Sequence, residues 1–151
     1  MNNIKWQQVS VAVLIEDRAR ILTVKRSEKE TFLPGLYEIP GGKVNHGEAP
    51  EEAVMREVLE ETGLEIKDIE LISVRSYLSK AAAQHNVELV YSARLASDSS
   101  KLTLSDAHDA FLWVSRSEVQ QLNLPDGDPI KIILVHWFDN LYSRQDSSHH
   151  S

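Results

Sequence analysis

The sequence predicts a single α/β layered domain, and three observations carry that expectation. Short β-branched runs recur along the chain, two or three helical patterns are interleaved with them, and no repeat, low-complexity block or linker divides the whole. The domain is expected over residues 1–144, with 145–151 as a disordered C-terminal tail.

Val9 to Ile15 and Ile21 to Val24 are β-branched runs separated by Glu16-Asp17-Arg18-Ala19-Arg20, a polar interval of hairpin-loop length, so they predict two antiparallel strands. Pro34-Gly35 marks a turn, after which Leu36 to Ile39 is a short strand ending at Pro40-Gly41-Gly42, followed by a loop from Gly42 to Gly47. Ala49 to Thr62 predicts a helix. Pro50 sits in the first turn, Glu51 and Glu52 lie near the positive helix end, and Gly63 stands at the C-cap.

Ile69 to Leu78, Val87 to Leu95 and Phe111 to Val114 are further strands, with Ser97 to Ser105 a polar connection. Ser115-x-x-Glu118 has the form of a capping box opening a short helix. Asp128-Pro129 opens a final helix on which Ile130, Ile133, Leu134, Trp137 and Leu141 recur at helical spacing.

Composition narrows the chemistry. The 151 residues are 42% hydrophobic and 26% charged, as in one ordinary domain, and 16 basic against 23 acidic residues leave a net charge of −7. That balance disfavours a partner that is a nucleic-acid polymer, and any polyanionic ligand needs help to bind. With no cysteine, disulfides, thiolate zinc sites and cysteine nucleophiles are excluded, and a reducing compartment is the natural setting. The first apolar run falls far short of the ~20 residues a membrane span needs, so the expectation is a cytoplasmic protein without a membrane partner.

The helix carries the chemistry. At about 100° per residue, Val54, Met55, Val58, Leu59 and Thr62 share one arc, while Glu57, Glu60 and Glu61 gather in a second arc of roughly 100°. Like charges at these spacings each cost roughly 0.2–0.5 kcal/mol on an exposed helix unless a cation offsets them. Clustered carboxylate oxygens suit hard Mg²⁺ or Mn²⁺, commonly completed by substrate phosphates. A solvated acidic helix face is the plain alternative. Against it stand the glycine-containing approach, Gly41-Gly42 to Gly47, which lets backbone come close to a ligand, and Arg56, which can pair with Glu48 and brace the loop on the helix.

The segment Gly42-x5-Glu48-x7-Arg56-Glu57-Val58-x-Glu60-Glu61-x-Gly63-Leu64 resembles the Nudix box, GX5EX7REUXEEXGU with U a bulky aliphatic residue, at every defined position. Such a match arises by chance on the order of 10⁻⁷ or less per chain at average residue frequencies. The strands before it, Glu38-Ile39-Pro40-Gly41-Gly42-Lys43 and the later Trp113-Val114-Ser115 extend the resemblance over about residues 8 to 142.

The resemblance implies an α/β/α sandwich with a mixed sheet and Mg²⁺-dependent (Mn²⁺ as substitute) hydrolysis of a nucleoside diphosphate linked to a group X. In the MutT-like branch this means a triphosphate cleaved to monophosphate and pyrophosphate. Glu57, Glu60 and Glu61, with the Gly41 carbonyl, are then implied metal ligands, and Glu48 and Arg56 organisers of the catalytic loop. Glu57 is a candidate general base, although other branches carry the base on a loop elsewhere. Glu60→Gln is expected to lower turnover by orders of magnitude with the fold kept.

Arg26, Glu38 and Lys43 are implied substrate contacts, against plain readings of Arg26 as a solvated strand-end charge and Glu38 as an edge-strand residue. Two departures stand out. Ala107 occupies a position where MutT-like chains often place another metal-binding Glu, with Asp106, His108 and Asp109 beside it. The Asn-Glu-Pro that reads an oxidised guanine in some members is replaced around Asp126-Gly127-Asp128-Pro129.

Trp6, Tyr37, Tyr77 and Phe111 are candidates to stack on a base, while each alone is more often a core residue. No His pair, including His46, His85 and His108, has zinc-ligand spacing. A P-loop fails because Tyr37 and Val44 stand where Gly and Ser or Thr belong, and no GxSxG elbow is present. ADP-ribose, dinucleoside polyphosphates and sugar nucleotides remain alternative substrates, a silent nucleotide-binding module is the non-enzymatic alternative, and a homodimer is common in the family.

Overall fold

The computed structural model describes residues 4–31, 33–79 and 83–148. Among these described residues seven strands form one mixed sheet. In chain order they are β1 (Trp6–Asp17), β2 (Arg20–Arg26), β3 (Tyr37–Glu38), β4 (Gly41–Lys43), β5 (Ile66–Ser79), β6 (Gln84–Leu95) and β7 (His108–Val114). The main path runs β3-β2-β1-β6-β5, with β4 added to β1 and β7 to β2. Among the described residues only β1 and β6 pair in parallel, and the other pairings are antiparallel.

Helix α1 (Pro50–Thr62) covers one face and α2 (Pro129–Ser148) the other. Strand β1 shows why its sequence is continuously apolar. Val11, Val13 and Ile15 pack in the cluster with Val54 and Val58 of α1, whereas Ala12 and Leu14 pack in the cluster with Leu134 and Phe138 of α2. A strand buried on both faces loses the polar alternation of a half-exposed one. The implied α/β/α sandwich is therefore present.

Strands β1 and β2 run further into their connection than the polar interval suggested. Asp17 pairs with Arg20, leaving a two-residue turn at Arg18 and Ala19 with φ of 52° and 62°. Glu16 Oε1 accepts the Ala19 N–H at 3.1 Å, which supports a tight turn built without glycine. The expected loop from Gly42 is also shorter, because Gly41 to Lys43 form β4, paired with Ala12, Val11 and Ser10.

Helix α1 starts at Pro50 without a side-chain cap and stops at Gly63, whose φ of 70° lets its N–H reach Leu59 O at 2.9 Å. The capping box is present, Ser115 and Glu118 opening a 3-10 helix over Arg116–Leu122. The Ser97 to Ser105 connection holds a 3-10 turn at Ser99–Lys101. Asp128 Oδ1 accepts the Ile130 N–H at 2.8 Å and so caps α2. That helix takes in 145–148 of the segment expected to be disordered, and 149–151 lie outside the described residues. Among the described residues no helix is long and apolar enough to cross a membrane.

Candidate active site

The site forms where α1 meets β4. Ala53, Val54, Val58 and Thr62 anchor α1 in the core, so the Glu57 and Glu61 flank of the helix turns toward β4. Close approach of backbone requires glycine at Gly41, while Gly42 leaves room for the Glu57 side chain. A Cβ at Gly41 would strike the backbone of Val11 and Ala12, and one at Gly42 would strike the Glu57 carboxyl. The Gly41 N–H donates to Glu61 Oε2 at 3.3 Å.

Arg56 ties the loop to the helix. Its Nε and Nη2 donate to the two oxygens of Glu48 at 2.8 and 3.0 Å, a fork-to-fork pair, and Nη2 also donates to Lys43 O at 2.9 Å. Glu48 in turn accepts the Asn45 N–H at 3.1 Å, so one carboxylate closes the loop on itself. The guanidinium beside Glu48 holds that carboxyl below its ordinary range, and the Asn45 N–H acts in the same direction. Nη1 of Arg56 donates to Glu57 Oε1 at 2.9 Å and to Glu60 Oε2 at 3.3 Å.

The three box carboxylates separate at the level of side chains. Glu57 and Glu61 face β4, while Glu60 lies at the solvent edge of the arc, 59% exposed, and is drawn back one turn to Arg56. Among the described residues no three acidic or histidine side chains converge as a ready-made metal cage.

The donors nevertheless fit a hard divalent ion. Mg²⁺ takes one or two carboxylates and completes its shell with water and substrate phosphates rather than an all-protein cage. The chemistry of Glu61 points the same way. Burial pushes its carboxyl up to about 8 from an ordinary 4.5; the adjacent charge of Glu57 and that of Glu38 add to the rise, and the Gly41 N–H opposes it. Two carboxyls this close in a partly dry setting hold a proton that a cation would displace.

A pH dependence follows. Because the folded pKa of Glu61 lies above its unfolded value, the contribution of Glu61 to the stability of the ion-free protein is fully present below about pH 4.5 and is lost as pH rises through about 8. Melting of chelator-treated protein is expected to shift to lower temperature across that window, and Glu61→Gln to flatten the shift. An unchanged slope in the variant would contradict the assignment.

A second group lies beside the first. Arg26, the last residue of β2, donates to Glu38 of β3 at 3.2 Å and lies 3.6 Å from Glu30. His108 Nε2 lies 2.8 Å from Glu38 Oε1, and the charge of Glu38 acts on Glu61. His108 is buried, and its Nδ1 has no hydrogen-bond partner among the described residues. The sequence starts this strand only at Phe111, but His108 opens β7 opposite Arg26, and the only signal was its position next to Ala107. Asp109 instead accepts the Glu28 N–H at 3.1 Å, which commits it to the loop after β2.

The side of Lys43 opens on a cleft of about 670 Å³ that Trp6, Gln8, Asn45, His46 and Gln84 also line. Of the four aromatic candidates, only Trp6 lines this cleft, and the residue is 66% exposed. Tyr37 packs against the α2 cluster, and Tyr77 and Phe111 stand exposed on β5 and β7.

Comparison with known proteins agrees with this geometry. The NUDIX domain matches residues 6–138. An ADP-ribose pyrophosphatase of Methanocaldococcus jannaschii is 40% identical over 83 residues, 55% of this chain and 48% of that protein. A MutT-like protein of Streptomyces ambofaciens is 32% identical over 114 residues, 75% of this chain and 67% of that one. Thus the match spans about half the length of the first of these relatives. The crystal structure of a MutT NUDIX hydrolase from Burkholderia pseudomallei superimposes with a TM-score of 0.70 at 28% identity, covering 87% of this chain and 98% of that one. With an acidic helix braced by Arg56 and Glu48 against a Gly-Gly strand, and a family match running through all seven strands and into α2, the chain belongs to the Nudix family.

Proposed function

We propose that the protein is a divalent-cation-dependent pyrophosphohydrolase that cleaves a nucleoside triphosphate to its monophosphate and pyrophosphate, acting in the cytoplasm on a small-molecule nucleotide. The observation that carries this reading is the Glu57 and Glu61 pair packed against Gly41 and Gly42, where burial and the neighbouring charge of Glu57 raise the Glu61 carboxyl. The family match and the MutT-like relative support the same reaction class.

Glu57, Glu61, the Gly41 carbonyl and Glu60, once it leaves Arg56, are the groups that would hold Mg²⁺, with Mn²⁺ as a substitute. Such an ion lowers the pKa of bound water and neutralises charge building on the phosphate oxygens. Glu57 accepts the proton of the attacking water, whose oxygen bonds to phosphorus as the P–O anhydride bond breaks and pyrophosphate leaves with the electron pair. Arg56 and Glu48 keep the loop and helix in register throughout. Lys43 offers its ammonium to the phosphates, and Arg26 with Glu38 forms the wall beside Glu61.

Trp6 is the stacking surface for the base. Its removal takes away binding that is equal in ground and transition states, so Trp6→Ala is expected to raise KM about tenfold with kcat little changed. Steady-state kinetics on the preferred substrate check this, and an unchanged KM would contradict it.

The Methanocaldococcus jannaschii relative supports a second reading, in which ADP-ribose is the substrate. One experiment separates the two. The protein is incubated with Mg²⁺ and a panel of NTPs, dNTPs, 8-oxo-dGTP, ADP-ribose, dinucleoside polyphosphates and sugar nucleotides, with Glu60→Gln as control and products resolved by chromatography. Monophosphate and pyrophosphate from triphosphates support the first reading. Turnover confined to ADP-ribose, dinucleotides or sugar nucleotides moves the protein to another substrate class, and no turnover on any of them leaves a nucleotide-binding module.

A further inference from the structure

Strand β5 ends the main path of the sheet, and among the described residues no strand pairs with its outer edge. It is 14 residues long; Lys67 and a register shift lie near its start and a second shift falls between Leu71 and Ser73, while its middle, Ile69-Glu70-Leu71-Ile72-Ser73-Val74, carries no Pro or Lys. Leu71, Ile72, Val74 and Leu78 of this strand are between 40% and 62% exposed. On the same face of the sheet, Met55 and Leu59 of α1 are 46% and 57% exposed, on the helix flank opposite Glu57. Apolar side chains are thus concentrated along one unpaired edge and the helix next to it.

We propose that a second copy of this chain docks on β5, edge to edge and antiparallel, about a two-fold axis through Ser73. The register of β5 on β6 supplies the argument. Glu70, Leu71, Ser73, Val74 and Arg75 oppose Ser92, Tyr91, Val90, Leu89 and Glu88, with the extra residue Ile72 absorbed in a bulge. Glu70 and Arg75 therefore lie the same number of steps on either side of Ser73 and on one face; Leu71 and Val74 do so on the other face.

A two-fold at Ser73 sets Glu70 of each copy opposite Arg75 of the other, and Leu71 opposite Val74. Each bulge meets a regular stretch of the partner strand. A closed two-fold contact is self-complementary in this way, and a shift of two residues would lose both charge pairs. Arg75 already pairs with Glu88 at 2.6 Å, so its guanidinium would lie between two carboxylates across three strands.

The area is also of the right order. The six exposed side chains offer on the order of 500 Å² of apolar surface per copy, against the ~800 Å² per partner that stable interfaces bury. Ladder hydrogen bonds and the charged flanks make up the difference.

The chain has no cysteine, which makes the test direct. Sedimentation of the wild type over the micromolar range is expected to give twice the chain mass of 17.1 kDa, and Val74→Lys, a surface change checked for folding by circular dichroism, to give the single-chain mass. Ser73→Cys, on the axis, is expected to form a disulfide-linked dimer under mild oxidation, because directly opposed strand residues fall within disulfide range, while Ser117→Cys on the opposite side of the molecule does not. A wild type that stays monomeric throughout, a Val74→Lys that stays dimeric, or a Ser73→Cys that cross-links no better than Ser117→Cys would each overturn the proposal.

Discussion

Glu57→Gln is expected to lower turnover by about a thousandfold, about 4 kcal/mol of transition-state stabilisation, while the protein stays folded. The substitution is isosteric, so the contact with Gly42 and the bond from Arg56 Nη1 to Oε1 can both be kept. What is lost is the negative charge and, on the proposed mechanism, the acceptor for the water proton. Burial is the larger cause of the raised Glu61 carboxyl and would persist, but the same change removes the Glu57 charge that adds to it, so Glu61 should ionise at lower pH in the variant. Turnover near the wild-type rate would show that the catalytic carboxylate lies elsewhere.

Arg56→Ala is expected to do nearly as much damage by a different route. The guanidinium holds Glu48 in a fork, caps Lys43 O and links Glu57 to Glu60, so its loss frees the loop from 43 to 48 and leaves three carboxylates without their common partner. Turnover should fall by two to three orders of magnitude, on the order of 3–4 kcal/mol, and melting should shift down by several degrees. Arg56→Lys keeps the charge but cannot satisfy the fork, and should recover only part of both losses. Full activity in Arg56→Lys would mean that charge alone, not loop geometry, is what Arg56 supplies.

Much of this site was legible in the sequence because it is local. Residues 42 to 64 hold the loop, the helix and its acids in one continuous stretch, and helical periodicity alone groups Glu57 with Glu61. Gly63 as helix stop and Asp128 as cap were equally readable, since each acts on residues within one turn of itself. The wheel could not separate Glu60 from its neighbours. That depends on rotamers, and on Arg56 capturing Glu60 from the preceding turn.

Long-range features were the ones that escaped. Gly41 and Gly42 read as residues making room for a ligand, but Gly41 is required by the packing of β4 on β1, which the order of residues does not announce. The bond between His108 and Glu38 joins residues 70 positions apart and depends on β7 lying against β2. The open apolar edge of β5 is invisible in sequence for the same reason, since its residues look like those of any buried strand until the sheet order is known.

The central claim is that the Glu57 and Glu61 face holds the divalent ion used in catalysis. A titration with Mn²⁺ followed by electron paramagnetic resonance, on the wild type and on Glu57→Gln and Glu61→Gln, tests it most directly. The account predicts a site in the wild type that tightens as pH rises through about 8 and is lost or greatly weakened in both variants. Equal Mn²⁺ affinity in all three proteins would contradict it.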